Sequence, residues 1–577
     1  MTADCWQFCR QPGYVHSGKP EAARSRTVKH RAVKRRSVVI GIGATAGVAA
    51  VGGIALSAQA AGGTASSSSS RDSAGSLAFD PDAYTELTTT VTDPDGTEHS
   101  VTYHFWKAIT YVAKPVDEKY QSLNVSVPVR IDGEEVDASD APILLANSVG
   151  GYMPSSVADA TGIGASGAPT GGAGGASASA SPAPGASAAP GAPGANGNTN
   201  GNGGALNTNQ LLALAAGYVV VEPGARGRTL KNSAGEYYGV APAVIVDLKA
   251  AVRYVRANKG RIPGDTDRIV SAGTSAGGAV SALLGASGDS PLYDAYLEEI
   301  GAADASDAIF ATGAWCPITD LEHADGAYEW NWGSNATGSG AKVDQTVSKE
   351  LRAQFAEYQA GLKLKGLGGF GTLTARNYDA YLLEQYLEPS ATAYLAALSD
   401  SERATYLAAH TAITWKNGKA TFSWADFLTH VGARKKTAPA FDAFDLSTGE
   451  NNEFGKGTTL ARHFTAYGQK NDTTGLTGKR PDSDIPELLR LMNPMYFLVE
   501  KANPHRAKHW WIRLGAKDSD TSHTVSANLA AAAHALGDDV SHLYYWDQGH
   551  GANTDPGDFI QWIAKVTGHK ARGTSGK

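Results

Sequence analysis

The stretch "RIVSAGTSAGGAVSALLG", Arg268 to Gly285, constrains the fold of this chain more than any other. A short apolar, β-branched run passes straight into a small-residue helical run, with only Gly273-Thr274-Ser275-Ala276-Gly277 between them. A strand that turns into a helix within so few residues strains the backbone of the residue at the corner. Its neighbours must then be compact. The pattern G-x-S-x-G is nevertheless cheap here. With 67 glycines in 577 residues, composition alone produces about one match by chance. The surroundings of Ser275 therefore decide what it means.

Those surroundings alternate. "APILLANSVGGYMP" (Ala141 to Pro154) reads as a buried strand ending in a glycine pair. "TNQLLALAAG" reads as a helix, "YVVVEPGARGR" as a strand and "APAVIVDLKAAVRYVRANKG" as an amphipathic helix. The strand before Ser275 follows. Buried strands alternating with helices at this spacing predict an α/β fold: a mostly parallel sheet with helices on both faces. Upstream, "HSVTYHFWKAITYVA" and "YQSLNVSVPVRI" are strand-like, and "DPDG" (Asp93 to Gly96) is expected as a plain turn rather than a calcium loop. From about Thr319 to Pro494 the chain turns helical and aromatic. Alternation then resumes with "HWWIRLGAKD", a helix through "VSANLAAAAHALG", and "SHLYYWDQGH". A helical block set between late strands reads as a lid.

The expected organisation is a leader over 1–60, a Ser/Gly tether over 61–76, and a first core segment over 77–319. A Gly/Ala/Ser/Pro/Asn-rich insertion over 156–204 is expected to be disordered, since it cannot bury apolar surface. A lid over 320–494 and a second core segment over 495–577 complete the chain. In the leader, basic "KHRAVKRRSVV" precedes an apolar run and Ala58-Gln59-Ala60, an export signal with its cleavage site. Arg35-Arg36 admits the twin-arginine route. The protein is therefore expected outside the cell, with no stable membrane insertion after cleavage. Residues 1–60 hold nine Lys/Arg and two Asp/Glu; the remainder carries 41 basic and 55 acidic residues, a net of −14. Such a surface does not suit nucleic acid. Cys5 and Cys9 lie in the leader, and Cys316 alone cannot form an intrachain disulfide. No zinc or EF-hand spacing is present, so neither metal nor cofactor is expected.

A serine hydroxyl is a weak nucleophile without a base. If Ser275 sits on a strained elbow, an acid and a histidine should follow at the ends of later strands. Asp518 ends "WWIRLGAKD" and His550 ends "LYYWDQGH", one crossover apart. His550 would take the proton from Ser275, and Asp518 would fix the imidazole. Singly, each has a plainer role: a surface histidine, or a helix cap in Asp520-Thr521-Ser522. The joint pattern favours the triad. An oxyanion hole requires two backbone N–H donors, one from Ala276 and one from Gly150 or Gly151 in "NSVGGYMP".

The segments "ILLANSVGGYMP", "GARGR", "APAVIVDLKAAVRYVRANKGRIPGDTDRIVSAGTSAGGA", "WCPITDLEHADGAYEW", "APAFDAFDLSTGENNEFG" and "HWWIRLGAKDSDTS" with the final "GH" together resemble the bacterial tannases. These are α/β-hydrolases related to feruloyl esterases. The resemblance covers most of the chain from about residue 100. It implies an α/β-hydrolase fold with an inserted lid, and hydrolysis of galloyl esters and depsides to gallic acid. It also implies Ser275, Asp518 and His550 as triad, Gly151 and Ala276 as oxyanion donors, and Lys436, Glu450 and Asp520 as ligands of the ring hydroxyls. The expected partner is a small phenolic ester, and the expected form a monomer. Two features depart from the family: the low-complexity insertion after the oxyanion loop, and a looser pattern around His550. Fungal tannases pair cysteines beside their catalytic residues; no cysteine stands near Ser275 or His550 in this sequence. Two rivals share these residues: a feruloyl or other phenolic-acid esterase, and a non-catalytic binding protein of the same fold.

Overall fold

A computed structural model of the chain describes residues 77–165 and 203–570. The expected leader, the tether and residues 166–202 of the expected insertion lie outside the described residues. The described chain contains twelve strands. In order they are β1 Thr85–Thr92, β2 Glu98–Thr110, β3 Ser122–Ile131, β4 Glu134–Glu135, β5 Pro142–Ala146 and β6 Val219–Pro223. There follow β7 Asp265–Thr274, β8 Ala311–Trp315, β9 Thr414–Lys416, β10 Lys419–Thr421, β11 His509–Gly515 and β12 Asp539–Tyr545.

Ten of these form one sheet in the order β1-β2-β3-β6-β5-β7-β8-β11-β12, with β4 beside β3. The first pairings, β1 with β2, β2 with β3 and β3 with β6, are antiparallel. Every pairing from β6 to β12 is parallel. This is the expected mostly parallel sheet. Parallel strands covered on both faces read as continuous apolar runs; β5 and β6 are buried along their whole length, and β7 from Ile269 to Thr274. The sequence order swaps where β6 pairs outside β5, so the C-terminal ends of β5 and β7 lie side by side. Ligand sites of open α/β sheets form at such a place.

The chain from Leu321 to Met492 is mainly helical, with helices at Leu321–Trp332, Gln345–Leu362, Tyr378–Leu382, Glu388–Ala397, Asp400–Ala409, Trp424–Val431, Gly449–Glu453, Ala466–Lys470 and Ile485–Met492, plus the β9–β10 hairpin. It enters after β8 and leaves before β11, which pair directly. The block is joined to the sheet layer by aromatic packing: the Tyr386 and Tyr544 rings stack at 4.8 Å, and the Tyr378 hydroxyl donates to Asn528 Oδ1 at 2.8 Å. Among the described residues no helix is long and apolar enough to cross a membrane.

Two expected boundaries move. Disorder was expected from Ser156, but the chain stays in the fold to Ala165. Val157, Ala160 and Ile163 are buried, Asn124 Nδ2 donates to the Val157 carbonyl at 3.3 Å, and the Ile163 N–H donates to the Tyr103 hydroxyl at 3.2 Å. Three apolar residues spaced by three give this piece something to bury. At the other end the helix begins at Gly203, before Thr208. The "DPDG" segment is a turn, as expected, with the Asp93 carbonyl accepting from the Gly96 N–H at 3.0 Å.

The turn after β7 leaves no room for side chains. A Cβ on Gly273 would overlap the Gly277 carbonyl and the Asn147 amide, and one on Gly277 would lie 2.6 Å from the Val149 carbonyl oxygen. Gly273→Ala is expected to lower stability by about 1–3 kcal/mol through overpacking. The check is the shift of the denaturant midpoint at unchanged slope.

Candidate active site

β7 ends at Thr274 and a helix begins at Ala276, leaving Ser275 alone at the corner with φ 61° and ψ −125°. A non-glycine residue holds that conformation only when its surroundings impose it. They do so by hydrogen bonds. The Ser275 N–H donates to the Trp315 carbonyl at 2.9 Å, tying the corner to the end of β8. Asn147, one residue beyond β5, donates through Nδ2 to the carbonyls of Ala272 (3.0 Å) and Gly277 (3.2 Å) and to Ser281 Oγ (2.9 Å). One amide therefore braces strand, corner and helix together. Its own Oδ1 accepts from the Val149 N–H at 3.2 Å, which sets the course of the glycine-bearing loop beside Ser275.

The three residues expected as a triad meet. His550 Nε2 lies 2.8 Å from Ser275 Oγ, and His550 Nδ1 lies 2.8 Å from Asp518 Oδ2. A carboxylate can only accept, so Nδ1 carries the hydrogen and Nε2 is left to accept the serine proton. Asp518 is fully buried, and its Oδ1 accepts from the Asp520 N–H at 2.9 Å. The acid and histidine loops run against each other. The Lys517 N–H donates to the Gln548 carbonyl at 2.8 Å, and a Cβ on Gly515 would overlap the carbonyls of Gln548 and Gly549. Burial opposes charge on the His550 ring, but Cys316 and Asp518 outweigh it and hold the imidazole well above its ordinary range.

The expected oxyanion loop passes beside this corner. Ala276 is the first residue of its helix, so its N–H has no intrahelical acceptor. Gly151 has φ 55°, and added Cβ atoms at Gly150 or Gly151 would meet nothing within 4 Å. Both glycines thus border open space. Arg228, absent from the expected site, holds this loop: its Nε donates to the Gly151 carbonyl at 2.8 Å, and its guanidinium packs against Gly449.

Of the three residues expected around the ring hydroxyls, Asp520 follows β11, Lys436 lies in a loop of the inserted block, and Glu450 is in the first turn of helix Gly449–Glu453. Asp520 Oδ2 is 3.9 Å from His550 Nδ1, so the carboxylate two residues beyond Asp518 borders the same imidazole. Lys436 Nζ is 3.8 Å from Glu450 Oε1 and 4.0 Å from the centre of the Phe441 ring. The two side chains are only 20% and 16% exposed, so the pair is largely withdrawn from water. Burial raises the Asp520 carboxyl, but His550, Lys435 and Lys436 together hold it below its usual value. Lys435 was not foreseen; its Nζ lies 2.8 Å from Asp520 Oδ1.

The inserted block brings these loops together. On helix Leu321–Trp332, the Tyr328 hydroxyl donates to the Ser519 carbonyl at 2.7 Å and accepts from the Lys436 N–H at 3.1 Å. Trp332 Nε1 donates to the Thr521 carbonyl at 2.7 Å. Arg434, fully buried, donates through Nε to the Lys436 carbonyl at 2.8 Å and pairs with the equally buried Glu329 on that helix. Asp325 accepts from the N–H groups of Ala440, Phe441 and Asp442 at 2.6, 2.7 and 3.1 Å, fixing the segment that leads to Glu450. Asp547, in the loop to His550, accepts from His430 Nε2 (2.7 Å) and the Tyr406 hydroxyl (2.5 Å) of the block. In the sequence no cysteine stands near Ser275 or His550, but the fold carries Cys316 Sγ to 3.9 Å from His550 Nε2. Cys316 follows β8 directly, and β8 neighbours β7. It is a free thiol.

Residues 194–356 match the family model BD-FAE. A curated relative, Esterase LipC of Mycobacterium tuberculosis, is 43% identical over 68 residues, 12% of this chain and 17% of that protein's length. Solved structures align over far more. The native tannin acyl hydrolase of Lactobacillus plantarum matches at 34% identity and TM-score 0.69, covering 85% of this chain and 99% of that one. The Fusobacterium nucleatum tannase matches at 33% identity and TM-score 0.67 with the same coverage. A tannin acyl hydrolase in complex with ethyl gallate matches at 34% identity and TM-score 0.68, again over 85% and 99%.

Arg434→Met would leave the Glu329 carboxylate buried without its partner. Breaking a buried pair in this way is expected to cost about 3–5 kcal/mol, measured by chemical denaturation. The double substitution with Glu329→Leu should recover much of the loss.

Proposed function

The chain belongs to the tannase family of α/β-hydrolases and is a carboxylic ester hydrolase; on that footing we propose that it cleaves galloyl esters to gallic acid through an acyl-enzyme on Ser275. The observation that carries the reading is the position of Asp520. Its Oδ2 lies 3.9 Å from His550 Nδ1, and Lys435 Nζ lies 2.8 and 2.9 Å from its two oxygens, so a carboxylate held in its anionic form borders the imidazole of the triad. Phenolic hydroxyls are hydrogen-bond donors first. Charge-assisted bonds from them to carboxylates are about twice as strong as neutral ones. Asp520 and Glu450 are the acceptors for the ring hydroxyls, and Lys436 donates to a hydroxyl oxygen. The solved neighbours in complex with ethyl gallate and with 3,4-dihydroxybenzoate support a hydroxylated ring as the acyl group.

The proposed reaction uses the hydrogen bonds of the triad. His550 Nε2 removes the Ser275 proton as Oγ attacks the ester carbonyl, and Asp518 stabilises the imidazolium through Nδ1. Negative charge on the carbonyl oxygen is met by the N–H groups of Ala276 and Gly151. His550 then gives its proton to the departing alkoxide, leaving galloyl-Ser275. A water that passes its proton to Nε2 attacks the acyl carbon, and the returning proton restores Ser275. The basic leader ending at Ala58-Gln59-Ala60 supports export, which suits a substrate met outside the cell.

Ser275→Ala is expected to lower kcat/KM by about a thousandfold or more while the unfolding transition is kept. Retained turnover overturns the nucleophile. In an ester panel, methyl gallate should exceed methyl benzoate by roughly 10²–10⁴ in kcat/KM, because polar groups built for hydroxyls are left unpaired by a bare ring. Asp520→Asn should cost methyl gallate about 10–100-fold and methyl benzoate little. Faster methyl ferulate than methyl gallate turnover would favour the phenolic-acid esterase reading, and no ester cleavage at all would favour a binding protein. His550 must be neutral to accept the serine proton, and its pKa is raised. The acid limb of kcat/KM against pH is therefore expected above the ordinary imidazole value of about 6.5, with activity rising as pH rises through it.

A further inference from the structure

Cys316 has no part in the proton route just described, yet its sulfur is directed at the same nitrogen that serves Ser275. His550 Nε2 is 2.8 Å from Ser275 Oγ and 3.9 Å from Cys316 Sγ. The thiol is held there by backbone: the Cys316 N–H donates to the Arg513 carbonyl of β11 at 2.7 Å, and the residue has φ 39°. It is only 2% exposed. Cys316, Asp518 and His550 bring one ligand atom each to within 4.8 Å of one another, the one such group among the described residues.

We infer that Cys316 Sγ and His550 Nε2 form a binding site for a single thiophilic divalent cation, zinc or cadmium, whose occupancy takes the base away from Ser275. Tetrahedral zinc with sulfur at about 2.3 Å and imidazole nitrogen at about 2.0–2.1 Å sets the two ligand atoms about 3.5 Å apart. A change of a few tenths of an ångström from 3.9 Å reaches that value. Asp518 is not a direct ligand. It already accepts from Nδ1–H at 2.8 Å, and one imidazole cannot give both nitrogens to one ion. It stands instead as the carboxylate that orients a metal-bound histidine and strengthens its donor nitrogen. Ser275 Oγ, 2.8 Å from the same nitrogen, would be a third ligand. On binding, the thiol proton passes to solvent, the sulfur becomes a thiolate ligand, and His550 keeps its Nδ1 hydrogen. No electron is transferred, so removing the ion restores the esterase. The sulfur and nitrogen donors select soft cations over magnesium and calcium.

The test uses the full chain carrying Cys5→Ser and Cys9→Ser, so that Cys316 is its only thiol. Cadmium is titrated while thiolate-to-metal absorption in the ultraviolet and methyl gallate hydrolysis are followed. One equivalent is expected to bring in the thiolate band and to abolish hydrolysis in parallel; a chelator should reverse both, and magnesium should do neither. Cys316→Ala and Cys316→Ser, each compared with its own metal-free rate, should lose the band and require at least tenfold more cadmium for half-inhibition. Inhibition without the band, or unchanged cadmium sensitivity in both variants, overturns the inference. If neither variant folds, the band in the single-thiol chain decides alone. The activity arm rests on the role given to Ser275 and His550 above, but the band does not. A band in a protein without esterase activity refutes that role and keeps the metal site; hydrolysis with no band under excess cadmium refutes the site and keeps the role.

Discussion

Everything in this site depends on one strained corner. Ser275 sits at φ 61°, ψ −125° because the Asn147 amide, the Trp315 carbonyl and two glycines without side chains leave it no alternative. The strain lifts Oγ clear of the sheet at the start of a helix, where the dipole favours developing negative charge. The same Asn147 that braces the corner sets the path of Val149 and hence of the two glycines that follow it. Ser275 and the loop beyond Val149 are therefore placed by one side chain from the neighbouring strand, and an error at either displaces both.

The inserted helical block has a second task. It contributes Lys435, Lys436 and Glu450, and it also holds the loops that come from the sheet. Tyr328 joins Ser519 to Lys436, Trp332 holds Thr521, and His430 and Tyr406 hold Asp547 three residues before His550. The buried Glu329–Arg434 pair underlies this arrangement. A buried ion pair is weak support for stability and better support for a defined geometry, and here it fixes the segment of Lys435 and Lys436 against the helix that also holds the loop after Asp518. The Lys436–Glu450 pair and the loops that carry Asp518 and His550 thus share their supports.

Much of this was legible in the chain itself. The apolar run into Ser275, the glycines around it, and Asp518 and His550 at the ends of successive strands carry their meaning in sequence, because parallel strands put their C-terminal ends at one edge of the sheet. The order of the partners along the chain is enough. Lys435, Arg228 and Cys316 were not legible. Arg228 acts through the Gly151 carbonyl, a backbone contact with no sequence signature. Lys435 and Lys436 are neighbours of the same type, and only the local backbone course sends one to Asp520 and the other to Glu450. The start of the Gly/Ala/Ser-rich region was misread for a related reason: its composition is low in apolar residues on average, but Val157, Ala160 and Ile163 each find a buried place.

By itself, then, the sequence determined the class of fold, the strained elbow and the residues that would converge on it. Hydrophobic periodicity and glycine placement act locally and survive being read one residue after another. Tertiary structure alone decided which charges face which, how deeply the Lys436–Glu450 pair is withdrawn from water, and that a cysteine far from His550 in sequence would lie against its reactive nitrogen. Those outcomes depend on the lateral order of β7, β8 and β11 and on how the helical block packs. Neither can be read from spacing along the chain, since they are settled by contacts between residues that meet only when the sheet has formed.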